Sequence, residues 1–350
     1  MKILIVVLIV LLLVIAGFIL DLMKDAGEFK KLEPHSAGKC EKVSGVIGAE
    51  DITVHPETGV AFISCDDRRA TFKREPTQGV IYAYDFDSEN PELINLTKDF
   101  EKEFHPHGIS LFIGDEGEQS LFVVNHTKDG QFIEVFDIQG DSVIHRESIQ
   151  GELMHSPNDV VAVGPRQFYA TNDHGSVSRF GRILEEYLRL AKSNVVYYDG
   201  SEFRIVAEKI SYANGINVSH DGRTVYVAST TGGKINVYDM DVSTGALELK
   251  NRIELGTGVD NIELDGAGSL WVAAHPKLLT FVKHSKDPAK ISPSQILKII
   301  PQAEDDYKIE EIYLDEGEAI SGSSVGAVFE QKLLIGSVFD HHFLVCEVEN

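Results

Sequence analysis

One unit recurs along this chain: a small polar or charged group, a short apolar strand, a turn, then a second apolar strand. Copies open at Glu50-Asp51-Ile52-Thr53-Val54, His107-Gly108-Ile109-Ser110-Leu111, Asn158-Asp159-Val160-Val161-Ala162, Asn214-Gly215-Ile216-Asn217-Val218 and Asp260-Asn261-Ile262-Glu263-Leu264. A weaker sixth begins near Ser323-Ser324-Val325-Gly326-Ala327. Turns such as His55-Pro56-Glu57-Thr58-Gly59 and Ser219-His220-Asp221-Gly222 lead into second runs such as Ala61-Phe62-Ile63 and Thr224-Val225-Tyr226-Val227, the pattern of antiparallel hairpins. Counted from Asp51, His107, Asp159, Asn214, Asn261 and Ser323, the openings lie 56, 52, 55, 47 and 62 residues apart. That is the size of a four-stranded blade with its loops, and six such units predict an all-β fold, a six-bladed β-propeller. A β-sandwich with coincidental hairpins is the competing architecture. The polar group argues against it, because it falls at the same place in each unit, and equivalent positions of successive blades converge on one central channel.

The N-terminus is of another kind. Ile3 to Leu20 carries no charge, lies between Lys2 and Asp21, and is long enough to span a bilayer. Ala16-Gly17-Phe18-Ile19-Leu20 is a poor cleavage site, which favours a retained membrane anchor through residues 3–20 over a cleaved signal. The expected organisation is an anchor or uncleaved signal over 1–22, a linker over 23–39, and one propeller domain over 40–350. A single amphipathic helix is expected around Arg179 to Lys192, with Ile183, Leu184, Tyr187, Leu188 and Ala191 on its apolar face. It would serve as a lid or membrane-facing element inserted after the second strand of the third repeat, or else simply cap the ring. Among the cysteines, Cys40 precedes the first repeat and Cys346 stands near the end, a placement suited to clasping a closed ring in an oxidising compartment. Three unpaired thiols, Cys65 included, are the alternative.

Acidic residues outnumber basic ones 55 to 32, a net charge of −23, which excludes the clustered Lys and Arg that nucleic-acid binding needs. Seven of the repeat-opening side chains, Glu50, Asp51, Asn158, Asp159, Asn214, Asp260 and Asn261, offer oxygen. Calcium takes six to eight such donors, whereas zinc would call for His and Cys. Taken singly, Asp and Asn at strand starts are turn formers. Brought together in one channel without a cation, they would be costly to desolvate and would repel one another.

The segments Ala49-Glu50-Asp51-Ile52, Pro106-His107-Gly108-Ile109-Ser110, Val123-Val124-Asn125-His126, Asn158-Asp159-Val160-Val161-Ala162-Val163-Gly164-Pro165, Thr171-Asn172-Asp173-His174, Ala213-Asn214-Gly215-Ile216-Asn217 and Val259-Asp260-Asn261-Ile262 resemble, in order, those of the serum paraoxonases and their bacterial relatives. The resemblance runs from Cys40 to Cys346. It implies two calcium ions: a catalytic one held by Glu50, Asn158, Asn214, Asp260 and Asn261, and a structural one held by Asp51, Asp159 and the backbone carbonyl of Ile109. It also implies His107 as general base with His126 relaying the proton, Asp260 being the competing base. His174 is implied in a supporting role near the site wall, with Tyr212, Trp271, His275 and Phe339 on that wall. The Cys40–Cys346 disulfide follows from the same likeness, and with it a periplasmic or extracellular propeller. Taken alone, the excess of Lys24, Lys30 and Lys31 over Lys2 would point to the opposite orientation.

The implied activity is a calcium-dependent hydrolase of lactones, with aryl esters and paraoxon as further substrates. Ala274, the polar stretch Asp66 to Gln78, and Asp340-His341-His342 depart from the family pattern, so substrate preference does not carry over. The competing functions are a sugar lactonase of the gluconolactonase type and a non-enzymatic binding propeller.

Overall fold

A computed structural model describes every residue except 37, 87, 89, 304, 305, 349 and 350. The last two lie within the expected 40–350 domain and outside the described residues. Six antiparallel sheets form the ring. Blades one to four are each built from four strands consecutive in sequence, with inner strands Ala49–Val54, Pro106–Ile113, Pro157–Ala162 and Ala213–Val218. Blade five starts at Gly258–Leu264 and gains a fifth, outer strand from His35–Ser36. In blade six, Ser323–Phe329, Lys332–Ser337 and His342–Glu347 are completed by Cys40–Ser44 from the other end of the chain.

That last pairing closes the ring. Cys40 sits directly opposite Cys346 in the register and is disulfide-bonded to it, with the Cα atoms 4.0 Å apart across 306 residues of sequence. Cys65 is free and buried in blade one. The core consists of inter-blade layers of β-branched and aromatic side chains. One is the cluster of Ile52, Ile63, Tyr84 and Phe343 between blades one and six.

Each inner strand carries one residue more than its partner, at the point where the polar group falls. Such a bulge breaks the strict alternation of faces, so neighbours such as Asn158 and Asp159, or Asp260 and Asn261, are both free to serve the channel. Neighbouring blades come very close there. A Cβ on Gly108 would lie 2.2 Å from Asp159 Oδ1, and one on Gly215 would lie 2.6 Å from the Asp260 carbonyl oxygen.

Helix α1, Lys2–Asp25, is exposed along the expected anchor and is long and apolar enough to cross a membrane. After α1, residues 26–36 lie along blade five and its inserted helix. Ala26 is buried and its carbonyl accepts from Leu278 N, Glu28 binds Thr280, and Lys30 Nζ donates to the Gly256 carbonyl at 2.7 Å. Three helices are inserted between the second and third strands of alternate blades: α2 (Arg68–Phe72) in blade one, α3 (Arg179–Leu188) in blade three and α4 (Leu278–Lys286) in blade five. The expectation of one helix therefore holds for α3 and misses the two others, which are short and lack a clean periodic face. On α3 the apolar side is exposed at Phe180, Ile183, Tyr187 and Leu188, with Ile183 and Tyr187 at the cavity, while Glu185 is buried and accepts from Gly175 N.

Loss of the ring closure is testable. Cys346→Ser removes a link that in the chain-entropy account is worth about 5 kcal/mol at most. It should lower the unfolding free energy in denaturant titration by at least about 2 kcal/mol, with secondary structure otherwise retained.

Candidate functional site

The bulged openings meet at the floor of a cavity of about 930 Å³, whose lining includes Glu50, His107, His126, Asn158, Asn214, Asp260 and His275. Asp51, Asp159 and Asn261 lie in the same cluster, and all seven oxygen-bearing side chains are 5% exposed or less. The two deeper carboxylates serve as clamps between blades. Asp51 accepts from Ile52 N at 2.9 Å and from Ile109 N, on blade two, at 2.8 Å. Asp159 accepts from Val160 N and from Ile216 N, on blade four, both at 2.7 Å. Burial, and then the charge of neighbouring carboxylates, pushes both of them well above the usual carboxylate range.

The outer donors are partly engaged with one another. Asn214 Nδ2 donates to Asp260 Oδ1 at 2.5 Å, and Asn261 Nδ2 to Glu50 Oε1 at 3.3 Å. The opposite ends of these amides are bare: Oδ1 of Asn158, Asn214 and Asn261 is buried with no hydrogen-bond donor. Three orphaned amide oxygens beside four buried carboxylates fit a hard, oxygen-seeking cation. Burial opposes ionisation of Glu50, but His107 and Arg68 outweigh it and hold its pKa at about 2.

His107 and His126 form an ordered pair. His126 Nδ1 faces Gln131 Oε1, which can only accept, so His126 Nδ1 carries the proton and its Nε2 is a lone pair. His107 Nδ1, 2.8 Å from that Nε2, is then the donor. In neutral His107 this leaves Nε2 as the lone pair, 3.5 Å from Glu50 Oε1, and once protonated the same nitrogen donates towards that carboxylate. Burial, and next the charge of His107, lowers His126 to about 4, which keeps it neutral in this role.

The wall residues sort into different positions. Tyr212 and Phe339 line the cavity, Tyr212 edge-on to His174 at 5.1 Å. His275 lines it too, yet its Nε2 is committed to Asp260 Oδ2 at 2.9 Å and its ring is stacked on Phe281. His174 turns both ring nitrogens away from the oxygen cluster, to Asp173 at 2.7 Å and to Glu186 of α3 at 3.0 Å, and its pKa rises to about 9 as these partners outweigh burial. Trp271 is a correction: it does not reach the cavity. It lies four residues along its strand from His275, about 13 Å at strand rise. There it packs between blades five and six and donates from Nε1 to Asp265 Oδ2 at 3.0 Å.

Sequence reasoning missed several participants. Arg68 Nη2 reaches Glu50 Oε2 at 3.4 Å, from the stretch 66–78 that departs from the family pattern. Asp66 and His105 pair at 3.0 Å on the cavity wall. Glu263 bonds with Thr53 and lies near Asp51, where burial raises it well above the carboxylate range. Only Glu263 had a signal, an acidic residue inside an inner strand.

With the site described, its relatives can be named. Residues 31–348 match the arylesterase family. Human serum paraoxonase/arylesterase 1 is 37% identical over 330 residues, covering 91% of each chain, and rat serum paraoxonase/arylesterase 2 is 36% identical over 332 residues, again 91% of each. The chain belongs to the arylesterase family. Among solved structures, a luciferin-regenerating enzyme superposes with a TM-score of 0.55 at 14% identity, covering 89% of this chain and 97% of its own. A gluconolactonase from Xanthomonas campestris gives 0.54 at 14% identity, covering 91% and 96%. At that identity these two establish the propeller fold alone.

The buried groups give a pH signature to the cation-free protein. Carboxylates raised in the folded state bind protons that the unfolded chain has already released, so stability falls as pH rises through their folded values. His174 acts in the same direction, its contribution present below 6.5 and lost towards about 9. His126 opposes this only between about 4 and 6.5, and Glu50 acts only near 2 and above until its unfolded value is passed. In chelator, the melting temperature should therefore fall between pH 6.5 and 9, and saturating calcium should remove most of that slope. Calorimetry at matched ionic strength measures both.

Proposed function

We propose that this chain is a calcium-dependent hydrolase that opens lactones and aryl esters, with paraoxon as a further substrate. The observation that carries the reading is the meeting, in one cavity, of three unpartnered amide oxygens and a histidine pair whose free lone pair points inward. Family membership supports it, since the human relative is named both paraoxonase and arylesterase.

Glu50, Asn158, Asn214, Asp260 and Asn261 would hold the outer ion, and Asp51, Asp159 and the Ile109 carbonyl the inner one. Two carboxylates at each site neutralise each ion. When bound, the outer calcium supplies a Lewis acid that polarises the substrate carbonyl and stabilises charge on its oxygen. His107 Nε2 takes the proton from the attacking water, while Nδ1 remains hydrogen-bonded to His126. With its pKa at about 4, His126 holds the tautomer of His107 and keeps a relayed proton only transiently. Asp260 is poorly placed as a competing base, because Asn214 and His275 occupy its two oxygens.

The apolar cavity wall, including Phe72, Tyr212, Phe281 and Phe339, favours less polar substrates than the sugar lactones of the gluconolactonase reading. The propeller lies outside the cytoplasm, anchored by residues 3–20, since the Cys40–Cys346 bond needs an oxidising compartment. The exposed apolar face of α3 is suited to rest on the same membrane.

The test is hydrolysis of δ-valerolactone and phenyl acetate with calcium and in EGTA, for the native chain and for His107→Gln. Activity should vanish in EGTA, and His107→Gln should retain calcium while kcat falls by about 10²- to 10⁴-fold. A folded, calcium-loaded protein inert toward every lactone and ester would overturn the reading in favour of a binding propeller.

A further inference from the structure

The cavity wall holds more positive charge than its negative groups use. Asp25 is ion-paired with Arg189, Asp66 with His105, and Asp173 and Glu186 share His174. On the hydrolase reading above, on which this inference rests, Glu50 and Asp260 are consumed by the outer cation. Four cationic side chains of the lining are then left over: Arg68, Arg179, Arg182 and Lys286. Arg179 and Lys286 form no ion pair with a described residue, and Arg182 Nε bonds only to the Ser176 carbonyl, at 3.1 Å. The one acidic contact of Arg68 is Glu50, its side chain is 13% exposed, and its Nη1 has no hydrogen-bond partner.

Even after the one carboxylate of Asp173 and Glu186 that His174 leaves unmatched, these four cations give the cavity a net positive charge in a chain of net charge −23, a local reversal of sign. A cleft of one sign with low-dielectric walls raises the local concentration of ligands of the opposite sign. A neutral ester gains nothing from such a field. Anionic lipid headgroups at the rim are the other source of negative charge, but Arg68 speaks against that use. It lies beside Glu50 at the cavity floor, where a headgroup outside the mouth cannot reach.

We propose that the enzyme prefers substrates bearing a carboxylate or comparable anion beside the scissile ester, drawn in by Arg179, Arg182 and Lys286 and retained by the field of Arg68. This differs from a purely apolar preference: the aromatic wall takes the body of the substrate and the cations take its charged end.

The experiment compares 4-acetoxybenzoate with the near-isosteric, neutral 4-acetoxybenzamide, using the full chain in a neutral detergent with calcium. The ratio of kcat/KM, anion over amide, should be about tenfold at low ionic strength and approach one in about 0.5 M NaCl. In the double variant Arg182→Gln/Lys286→Gln it should fall towards one at low salt. Calorimetry gives a second readout: 4-hydroxybenzoate should bind more tightly than 4-hydroxybenzamide, and more tightly in calcium than in EGTA, because the ion cancels Glu50 and Asp260. If both esters are cleaved with a ratio of one, the proposal fails and the hydrolase reading stands. If neither is cleaved but 4-hydroxybenzoate still binds selectively, the hydrolase reading fails and the anion site survives. A ratio unmoved in the double variant, together with weakened binding to phosphatidylcholine vesicles containing phosphatidylglycerol, would assign these cations to lipid headgroups and overturn the proposal.

Discussion

Gathering buried carboxylates at the axis of a ring is the constraint around which this molecule is organised. Asp51 and Asp159 could not remain there as isolated charges, and each is held by two backbone amides, one from its own strand and one from the next blade. The same bonds pin the bulges of neighbouring inner strands together. Closure therefore depends on the polar axis as well as on the apolar layers between blades. Gly108 and Gly215 belong to this arrangement, because any side chain there would occupy the space of the adjoining carboxylate or backbone.

The cavity above the axis is assembled by repetition of one connection. Alternate blades insert a helix between their second and third strands, so α2, α3 and α4 emerge on the same face of the ring and supply its rim. Arg68 comes from α2, Glu186 and Arg182 from α3, Phe281 and Lys286 from α4. The end of helix α1 docks against the same face through the Asp21 and Asp25 contacts to Arg189, and Ala26 and Glu28 just beyond it bind α4. The apolar N-terminal helix and the mouth of the site are thus neighbours, with Leu22 and Asp25 in the cavity lining.

Much of this was legible in the chain itself. The period-two hydrophobic pattern with a polar group at fixed offset specifies hairpin blades and their number, and the oxygen set specifies an axis lined with oxygen donors, because these depend on local order and on the equivalence of successive blades. Misreadings arose where a residue's surroundings come from elsewhere in the chain. Trp271 follows the sequence pattern of wall aromatics, yet distance along its strand puts it between blades. His275 reads as wall and does line the cavity, yet it is tied to Asp260, and Asp66 and Arg68 read as polar loop but meet His105 of the next blade and Glu50 of their own.

What the sequence determined by itself was the six-fold repetition, the inventory of oxygen donors and histidines, the apolar N-terminal segment and the cysteines at the two ends. Only the tertiary structure decided how these groups face one another. The bare amide oxygens of Asn158, Asn214 and Asn261, the tautomer order from Gln131 through His126 to His107, and the surplus of positive charge on the cavity wall all depend on which partner each group has already found. The amide partners are set by contact between blades across tens to hundreds of residues, and the histidine order by strand register within blade two, neither of which a local pattern encodes.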